Sequence, residues 1–285
     1  MGELLGLGAL LFGALPEEAV DGMSEEVHCV WFKRDLRVLD HAPLAEAVRA
    51  GRVLPLYLVE PDIIQAPDFD AMHWKFIRES LVDLQRSLRA LGAELQVRIG
   101  NAVDVFTDLH ESFRLQSIWA HEETGNAITY QRDLAVASWA QAAGIALHQI
   151  PQNGVVRRLK DRDGWSRHWE RRMQAPIVPI PEQVEPVFGL KPSKLPSVAE
   201  LGLHQTPRQL DLVGGEAAAQ GTLHSFIHQR GLRYHREMSS PNTAYESCSR
   251  LSAYLAWGCI SIRCVVQDVR AAAGVSMPKI AARAF

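Results

Sequence analysis

Hydroxyl side chains surround a single cation in the C-terminal part of the sequence. Ser247, Ser249 and Ser252 flank Arg250, and an apolar run with helical spacing follows over residues 251–256. The free backbone N–H groups and the dipole of a helix start favour an anion, and Ser and Arg side chains add further donors. The pattern therefore predicts a phosphate site, with an ordinary Ser-capped helix that binds nothing as the alternative.

A second cationic stretch lies in the middle of the chain. Its basic residues outnumber its acidic ones, and Trp165 and Trp169 lie one helical turn apart. The basic residues are Arg157, Arg158, Lys160, Arg162, Arg167, Arg171 and Arg172. Such a stretch can follow a phosphate backbone. We favour an amphipathic helix whose Trp residues pack on the core while the Arg residues face water.

Composition argues against several classes of protein. The chain has 285 residues, a net charge of −3 and four cysteines, none of them in a C-x-x-C pair. We therefore expect no metal site, a reducing compartment that we take to be cytoplasmic, and no nucleic-acid binding driven by net charge. Residues 4–15 are apolar but too short to span a membrane, and residues 1–22 are interpreted as an extension outside the fold.

The first half alternates short apolar runs with amphipathic segments. This alternation predicts an α/β fold with a five-stranded parallel, doubly wound, Rossmann-like sheet, which would bind ligands at the carboxyl ends of its strands. The predicted strands are residues 27–32, 53–59, 94–99, 117–120 and 145–150, and the predicted helices are residues 42–50, 70–91, 102–113 and 130–143. Asp40 is the candidate N-cap of the first helix, and Pro55 indicates an edge strand or a distortion. No G-x-G-x-x-G or P-loop follows a strand, which argues against nicotinamide and nucleoside-triphosphate enzymes.

Beyond the sheet the pattern changes to a Pro-rich linker and then to helices. We divide the chain into an N-terminal extension (residues 1–26), an α/β domain (27–151), a long linker (152–213) and the first helices of an all-α domain (214–285). Within that last part, the predicted helices are residues 215–230, 251–257 and 262–273.

Two motifs resemble one known family. Residues 31–44, W-F-K-R-D-L-R-V-L-D-H-A-P-L, are similar to the opening of DNA photolyases, with His41 in place of the common Asn. Residues 248–252, followed by residues 254–258, resemble the flavin-diphosphate segment of the cryptochrome/photolyase family, with Cys248 in place of the usual Thr. On these motifs the chain is identified as a member of the cryptochrome/DNA photolyase family.

The resemblance implies a cofactor, an activity and partners. FAD would be held by Tyr234, Cys248, Ser249, Arg250, Leu251 and Ser252. An antenna chromophore of folate or deazaflavin type would bind the α/β domain. The implied enzyme is a monomeric deoxyribodipyrimidine photolyase without a membrane segment, in which excited reduced flavin splits a pyrimidine dimer of damaged DNA. That step needs no acid–base or nucleophilic residue, so no catalytic residue is assigned. The resemblance also implies that the all-α flavin-binding domain is incomplete in this chain.

Three alternatives remain open. A cryptochrome-type blue-light photoreceptor would share the fold and the cofactor. An inactive, truncated fragment would keep a folded α/β domain ahead of a partly disordered tail. A generic adenine-nucleotide module would need the Gly-rich phosphate loop that the sequence lacks.

Overall fold

The computed structural model describes residues 26–204 and 211–285. The predicted N-terminal extension therefore lies outside the described residues, except for its last residue. Within the described ranges, no helix is both long enough and apolar enough to cross a membrane.

Five parallel strands form one sheet in the order β3-β2-β1-β4-β5. The strands are β1 Val27–Phe32, β2 Arg52–Val59, β3 Gln96–Ile99, β4 Leu115–His121 and β5 Ala146–Ile150. Apolar clusters lie on both faces of the sheet, and β1 is buried along its whole length, as expected for a parallel sheet covered on both sides. The predicted doubly wound fold is confirmed, and its strand order reverses between β1 and β4.

Pro55 lies on β2, which has a neighbouring strand on each side. The prediction that Pro55 marks an edge strand was therefore wrong. It pairs with Val30 of β1, whereas the pairing of β2 with β3 begins only at Leu56. The N–H of Val53 points to the same side of β2 as the nitrogen of Pro55. It donates to the Glu185 carbonyl (2.9 Å), which lies outside the sheet. The missing N–H of Pro55 therefore removes no ladder bond to β3, which is why proline is tolerated here.

Five helices accompany the strands: α1 Ala42–Ala50, α2 Pro61–Ile64, α3 Ala71–Ala90, α4 Ala102–Phe113 and α5 Ala127–Ala143. The N-cap of α1 is His41, whose ring accepts a hydrogen bond from the Leu44 N–H, so the prediction of Asp40 as the cap was wrong. Asp40 has a left-handed backbone (φ 55°), and its carboxylate has other partners. Asp70 caps α3 through a capping box, which fixes the start of that helix.

The second half is helical. Its elements are α6 Trp165–Gln174, α7 Glu216–His228, a 3₁₀ turn Arg230–Arg233, α8 Tyr234–Glu237, α9 Ala244–Ser247, α10 Ser252–Ala256, α11 Ile262–Ala272 and α12 Lys279–Ala284. Leu223 of α7 and Val265 of α11 belong to the same apolar cluster as Leu81 of α3. The core is therefore continuous between the sheet and the later helices.

The two tryptophans of α6 lie outside the main apolar clusters, contrary to the prediction. The Trp165 side chain is exposed, and its Nε1–H donates to the Gly154 carbonyl (2.9 Å). An added Cβ at Gly154 would lie 2.2 Å from the Trp169 ring, so a larger residue there would displace that ring. The segment around Gly154 thus packs against the two tryptophans of α6, because glycine lets the indole rings approach its backbone closely.

Residues 33–41, which we call the joint loop, connect the two halves of the molecule. The Arg37 Nη1–H donates to the Gly258 carbonyl (3.0 Å). Gly258 has a left-handed backbone (φ 62°), and an added Cβ there would lie 2.2 Å from the Arg34 carbonyl oxygen. The two halves therefore touch backbone to backbone at this point.

Carboxylates complete the contact between the halves. Glu216, at the start of α7, accepts hydrogen bonds from the N–H groups of Val38 (2.8 Å) and Leu39 (3.1 Å). Asp40 accepts from the Arg263 Nε–H (3.0 Å) of α11. Several polar groups of the joint loop thus find their partners in the helical half, so the loop needs both halves to satisfy its hydrogen bonds.

Replacing Glu216 with Ala should lower the free energy of unfolding by about 2 kcal/mol or more, because two partly buried N–H groups would lose their acceptor. Urea denaturation followed by circular dichroism measures the change. Glu182→Ala, at an exposed position, is the control for loss of one carboxylate. Equal stability of the two variants would contradict the role given to Glu216.

Candidate functional site

The residues predicted to hold flavin gather around one short loop. Residues 248–251 connect α9 to α10, Ser252 begins α10, and Tyr234 begins α8. We call residues 248–252 the 248–252 loop. The helix that follows has only five residues, shorter than predicted, so its dipole is too small to supply the anion affinity that the sequence pattern suggested. Any such affinity must come from the loop itself.

The backbone of the 248–252 loop presents free N–H groups. Arg250 has a left-handed backbone (φ 59°) and Leu251 a right-handed one (φ −89°, ψ −6°). This alternation turns successive N–H groups toward one concave side and forms a nest for anions. The N–H groups of Ser249, Arg250 and Ser252 have no acceptor among the described residues. The Leu251 side chain is buried and anchors the loop, whereas Ser252 is exposed.

The Arg250 guanidinium is held by its own neighbours. Its Nε–H donates to the Tyr245 carbonyl (2.8 Å), and the guanidinium carbon lies 3.8 Å from the centroid of the Tyr245 ring. Nη2 lies 3.3 Å from the Glu246 carboxylate, but without hydrogen-bond geometry. This buried nitrogen has no hydrogen-bond partner in the described part of the chain. The ion pair with Glu246 compensates its charge, while its hydrogen-bonding capacity remains available for a further acceptor such as a bound anion.

A second cation, Arg230, was missed by the sequence analysis. Its Nη1–H donates to the Cys248 carbonyl, and its Nη2–H to the carbonyls of Ser249 (3.2 Å) and Thr222 (3.0 Å). Its Nε–H donates to the Ser225 hydroxyl (3.1 Å). The sequence gives no local signal for these contacts, since the two loop carbonyls follow 18 and 19 residues later.

Tyr234 lies beside the loop in a group of aromatic rings. Its ring centroid is 5.5 Å from that of Phe226 and 5.9 Å from that of Phe285. Burial, with a smaller contribution from Cys248, raises the pKa of the Tyr234 hydroxyl. Ser247, by contrast, is buried and its hydroxyl donates to a carboxylate within the helical half. In the structure Tyr234 therefore lies beside the loop, whereas the Ser247 hydroxyl is buried and is not available to a ligand there.

A cleft of about 320 Å³ lies between the two halves, beside the end of α10. Its walls come from the joint loop, the segments after β4 and β5, and the α10–α11 turn; they include Arg34, Thr124, Gln152, Leu255 and Ile262. The Arg34 guanidinium carbon lies 4.9 Å from the centroid of the Trp257 ring. A volume of this order, with mixed apolar and polar walls, suits a small organic molecule.

A smaller cavity, of about 30 Å³, lies at the carboxyl ends of β1 and β2. A network of charged side chains fills its surroundings, with the Arg132 guanidinium at its centre, 4.7 Å from the Trp31 ring centroid. The acceptors of Arg132 are the carboxylates of Glu60, Glu123 and Asp133. Burial raises the pKa of Glu60 to about 7, against the opposing charge of Arg132. The remaining space is about that of a single water molecule, too small for a pigment.

A buried cluster joins two residues of the joint loop, Asp35 and His41, to His121 at the end of β4. Their carboxylate oxygen and ring nitrogens, atoms that could bind a metal ion, lie within 4.8 Å of one another. Asp35 Oδ2 lies 3.0 Å from His41 Nε2 and 2.8 Å from His121 Nδ1. The other ring nitrogen of His41 accepts the Leu44 N–H, so Nε2 carries the proton and donates to Asp35. These hydrogen bonds are sufficient to explain the short distances within the cluster. The nearby positive charge of Arg37 would also repel a divalent metal ion buried there. We therefore interpret the cluster as a hydrogen-bond network.

Comparison with known proteins gives several matches. Residues 28–161 match the family profile described as DNA photolyase. A cryptochrome DASH of Gloeobacter violaceus is 28% identical over 87% of this chain and 54% of its own length. A deoxyribodipyrimidine photo-lyase of Halobacterium salinarum is 30% identical over 85% of this chain and 54% of its own length. The chain thus spans about half the length of these curated relatives.

The fold also matches solved structures. An archaeal photolyase from Sulfolobus tokodaii, described with two FAD molecules, superposes with a TM-score of 0.64 at 22% identity. The match covers 85% of this chain and 54% of that one. Similarity at this level of identity bears on the fold alone.

Acidification should destabilise the protein between about pH 6.5 and about pH 3. Burial lowers the pKa of His41 from 6.5, and lowers that of His121 to about 3. Below about pH 6.5 the unfolded chain binds more protons than the folded one. The free energy of unfolding should therefore fall as pH falls, by up to about 1.4 kcal/mol per pH unit for each such His.

The variant His121→Gln isolates this effect. It should be less stable than the wild type near neutral pH, because the ring contact between His121 and His41 is lost, but its stability should fall less steeply on acidification. Urea denaturation at a series of pH values measures both quantities. His204→Gln, at an exposed position, is the control, and identical pH slopes for the two variants would contradict the assignment.

Proposed function

The chain belongs to the cryptochrome/DNA photolyase family, and we propose that it is a flavin-dependent photolyase that uses blue light to repair UV-induced pyrimidine dimers in DNA. The observation that carries this proposal is the 248–252 loop. Its backbone forms a nest of free N–H groups, and one guanidinium nitrogen beside it has no hydrogen-bond partner among the described residues. These donors suit a diphosphate, the part of FAD that carries the negative charge.

The residues of the loop fit the cofactor as follows. The N–H groups of Ser249, Arg250 and Ser252 would bind phosphate oxygens, the Arg250 charge would add to their attraction, and Tyr234 would pack near the nucleotide. Cys248 offers a thiol, a weaker donor than the usual Thr hydroxyl, but leaves the backbone donors unchanged. When bound, the flavin supplies the electron-transfer chemistry, while the residues of this chain hold and orient it.

One relative supports the substrate. The Halobacterium relative, which is 30% identical, is named a deoxyribodipyrimidine photo-lyase. We propose damaged DNA as the partner, a monomer as the working state and the cytoplasm as the location. The proposed domains are residues 1–26, 27–151, 152–213 and 214–285.

A blue-light photoreceptor is the second candidate, because the Gloeobacter relative is a cryptochrome DASH. It would use the same loop for the same cofactor. The two are distinguished by illuminating flavin-loaded protein with a DNA oligonucleotide that carries one pyrimidine dimer, with a dark sample as control. A photolyase restores the undamaged bases only in the light, whereas a photoreceptor leaves the dimer intact while its flavin spectrum changes.

We propose the cleft between the halves as the site of an antenna chromophore of folate or deazaflavin type. Its volume of about 320 Å³ is enough for a small organic molecule, whereas the cavity of about 30 Å³ at the ends of β1 and β2 is not. Leu255 and Ile262 line it with apolar groups, and Gln152 and Thr124 line it with polar groups, which suits a flat ring with polar edges. Part of such a pigment would remain exposed to water.

Replacing Arg250 with Glu should weaken FAD binding about tenfold or more, because a repulsive charge would replace a donor beside the diphosphate. Titration of purified protein with FAD, followed by flavin fluorescence, measures the dissociation constant. Arg233→Glu reverses the same charge on an exposed side chain of the helical half and should bind FAD as the wild type does. A colourless wild-type protein that takes up no added FAD would contradict the proposed function.

Replacing Thr124 with Trp should prevent uptake of a reduced folate or a deazaflavin, because the larger ring would fill the cleft that Thr124 lines. Thr124 is exposed, so the variant should fold, and its affinity for FAD should be unchanged. The absorption spectrum after incubation with each pigment and gel filtration measures uptake. Ile128→Trp, an exposed position outside this cleft, is the control; equal pigment uptake by both variants would exclude the cleft as the antenna site.

A further inference from the structure

We infer that Arg230 is a positioning residue for the 248–252 loop, which holds two backbone carbonyls back so that the adjoining N–H groups face an incoming diphosphate. This inference rests on the proposed function. It concerns a residue that lies outside the predicted flavin segment and that contacts the loop only through its backbone.

The direction of the N–H groups follows from the geometry of the peptide bond. In a trans peptide the C=O of one residue and the N–H of the next point in opposite directions. The Cys248 carbonyl shares its peptide with the Ser249 N–H, and the Ser249 carbonyl shares its peptide with the Arg250 N–H. Both carbonyls accept hydrogen bonds from Arg230. Both N–H groups therefore point away from Arg230, and both lack an acceptor in the described ranges.

The rest of the Arg230 side chain is fixed to α7. Its Nη2–H also donates to the Thr222 carbonyl (3.0 Å) and its Nε–H to the Ser225 hydroxyl (3.1 Å). The planar guanidinium thus connects a helix of 13 residues to the loop through several donors at once. A lysine carries its donors on one flexible nitrogen and does not reproduce this fork. The contact therefore requires the shape of arginine as well as its charge.

The loop without a ligand holds unfavourable interactions that an anion would relieve. Arg250 adopts a left-handed backbone (φ 59°), which is strained for a residue with a side chain. Burial, and then the charge of Arg250, lower the pKa of Arg230, so the two cations repel each other. The hydrogen bonds of Arg230 offset these costs in the free protein, and a diphosphate on the N–H side of the loop would reduce the repulsion by adding negative charge.

The test compares Arg230→Lys and Arg230→Met with Arg233→Met, which removes one charge from an exposed side chain nearby. FAD and ADP are titrated into each purified protein, and the thermal midpoint is recorded without ligand. Both Arg230 variants should bind FAD and ADP about tenfold to a hundredfold more weakly than the wild type. The control should bind as the wild type does. Wild-type affinity in Arg230→Lys would show that charge alone suffices, and would overturn the inference while leaving the proposed function intact.

A second measurement needs no ligand. In ¹⁵N–¹H spectra of the free protein, the amide signals of Ser249 and Arg250 report the direction of the two N–H groups. These signals should shift in Arg230→Lys and stay in place in Arg233→Met. Unchanged signals in Arg230→Lys would overturn the inference whatever the flavin titration gives. A wild-type protein that binds neither FAD nor ADP would instead refute the proposed function.

Discussion

A fully buried carboxylate, that of Asp35, holds the polar joint loop in place. A charge without exposed surface is stable only where donors surround it, and here the Lys33 N–H and the rings of His41 and His121 provide them. With this centre fixed, the outer groups of the loop face the helical half and bond to its backbone and carboxylates. The two halves therefore share one set of hydrogen bonds, and the position of the later helices over the sheet follows from the conformation of the loop after β1.

Much of the fold is readable from local patterns, because burial on both faces of a parallel sheet produces the continuous apolar runs seen in the sequence. The prediction from Pro55 failed because β2 is an inner strand that has no β3 partner at this position. Asp40 misled because its side chain is used by residues more than two hundred positions away, leaving His41 to cap the helix. The 248–252 loop was predicted from its residue types, but Arg230 was not, since no local rule connects a guanidinium to carbonyls 18 residues later.

The 248–252 loop and the cleft lie at opposite ends of the same short helix. Residues of the loop precede α10, and Leu255 and Ala256 at its end line the cleft. At about 1.5 Å per residue, its five residues span roughly 8 Å. A diphosphate held at the loop and a pigment held in the cleft would thus be separated by about the length of this helix. The separation between them would depend little on the long linker, because α10 itself is tied to the joint loop through the residues that follow it.

Gly258 sets the gap between the sheet and the helices. Its left-handed backbone and the Arg34 carbonyl oxygen, 2.2 Å from where a Cβ would stand, leave no room for even a methyl group. Any side chain there would act as a wedge and tilt one half of the molecule away from the other. The width of the cleft therefore depends on the hydrogen atom that glycine has in place of a side chain, whereas its chemical character depends on the residues that line its walls.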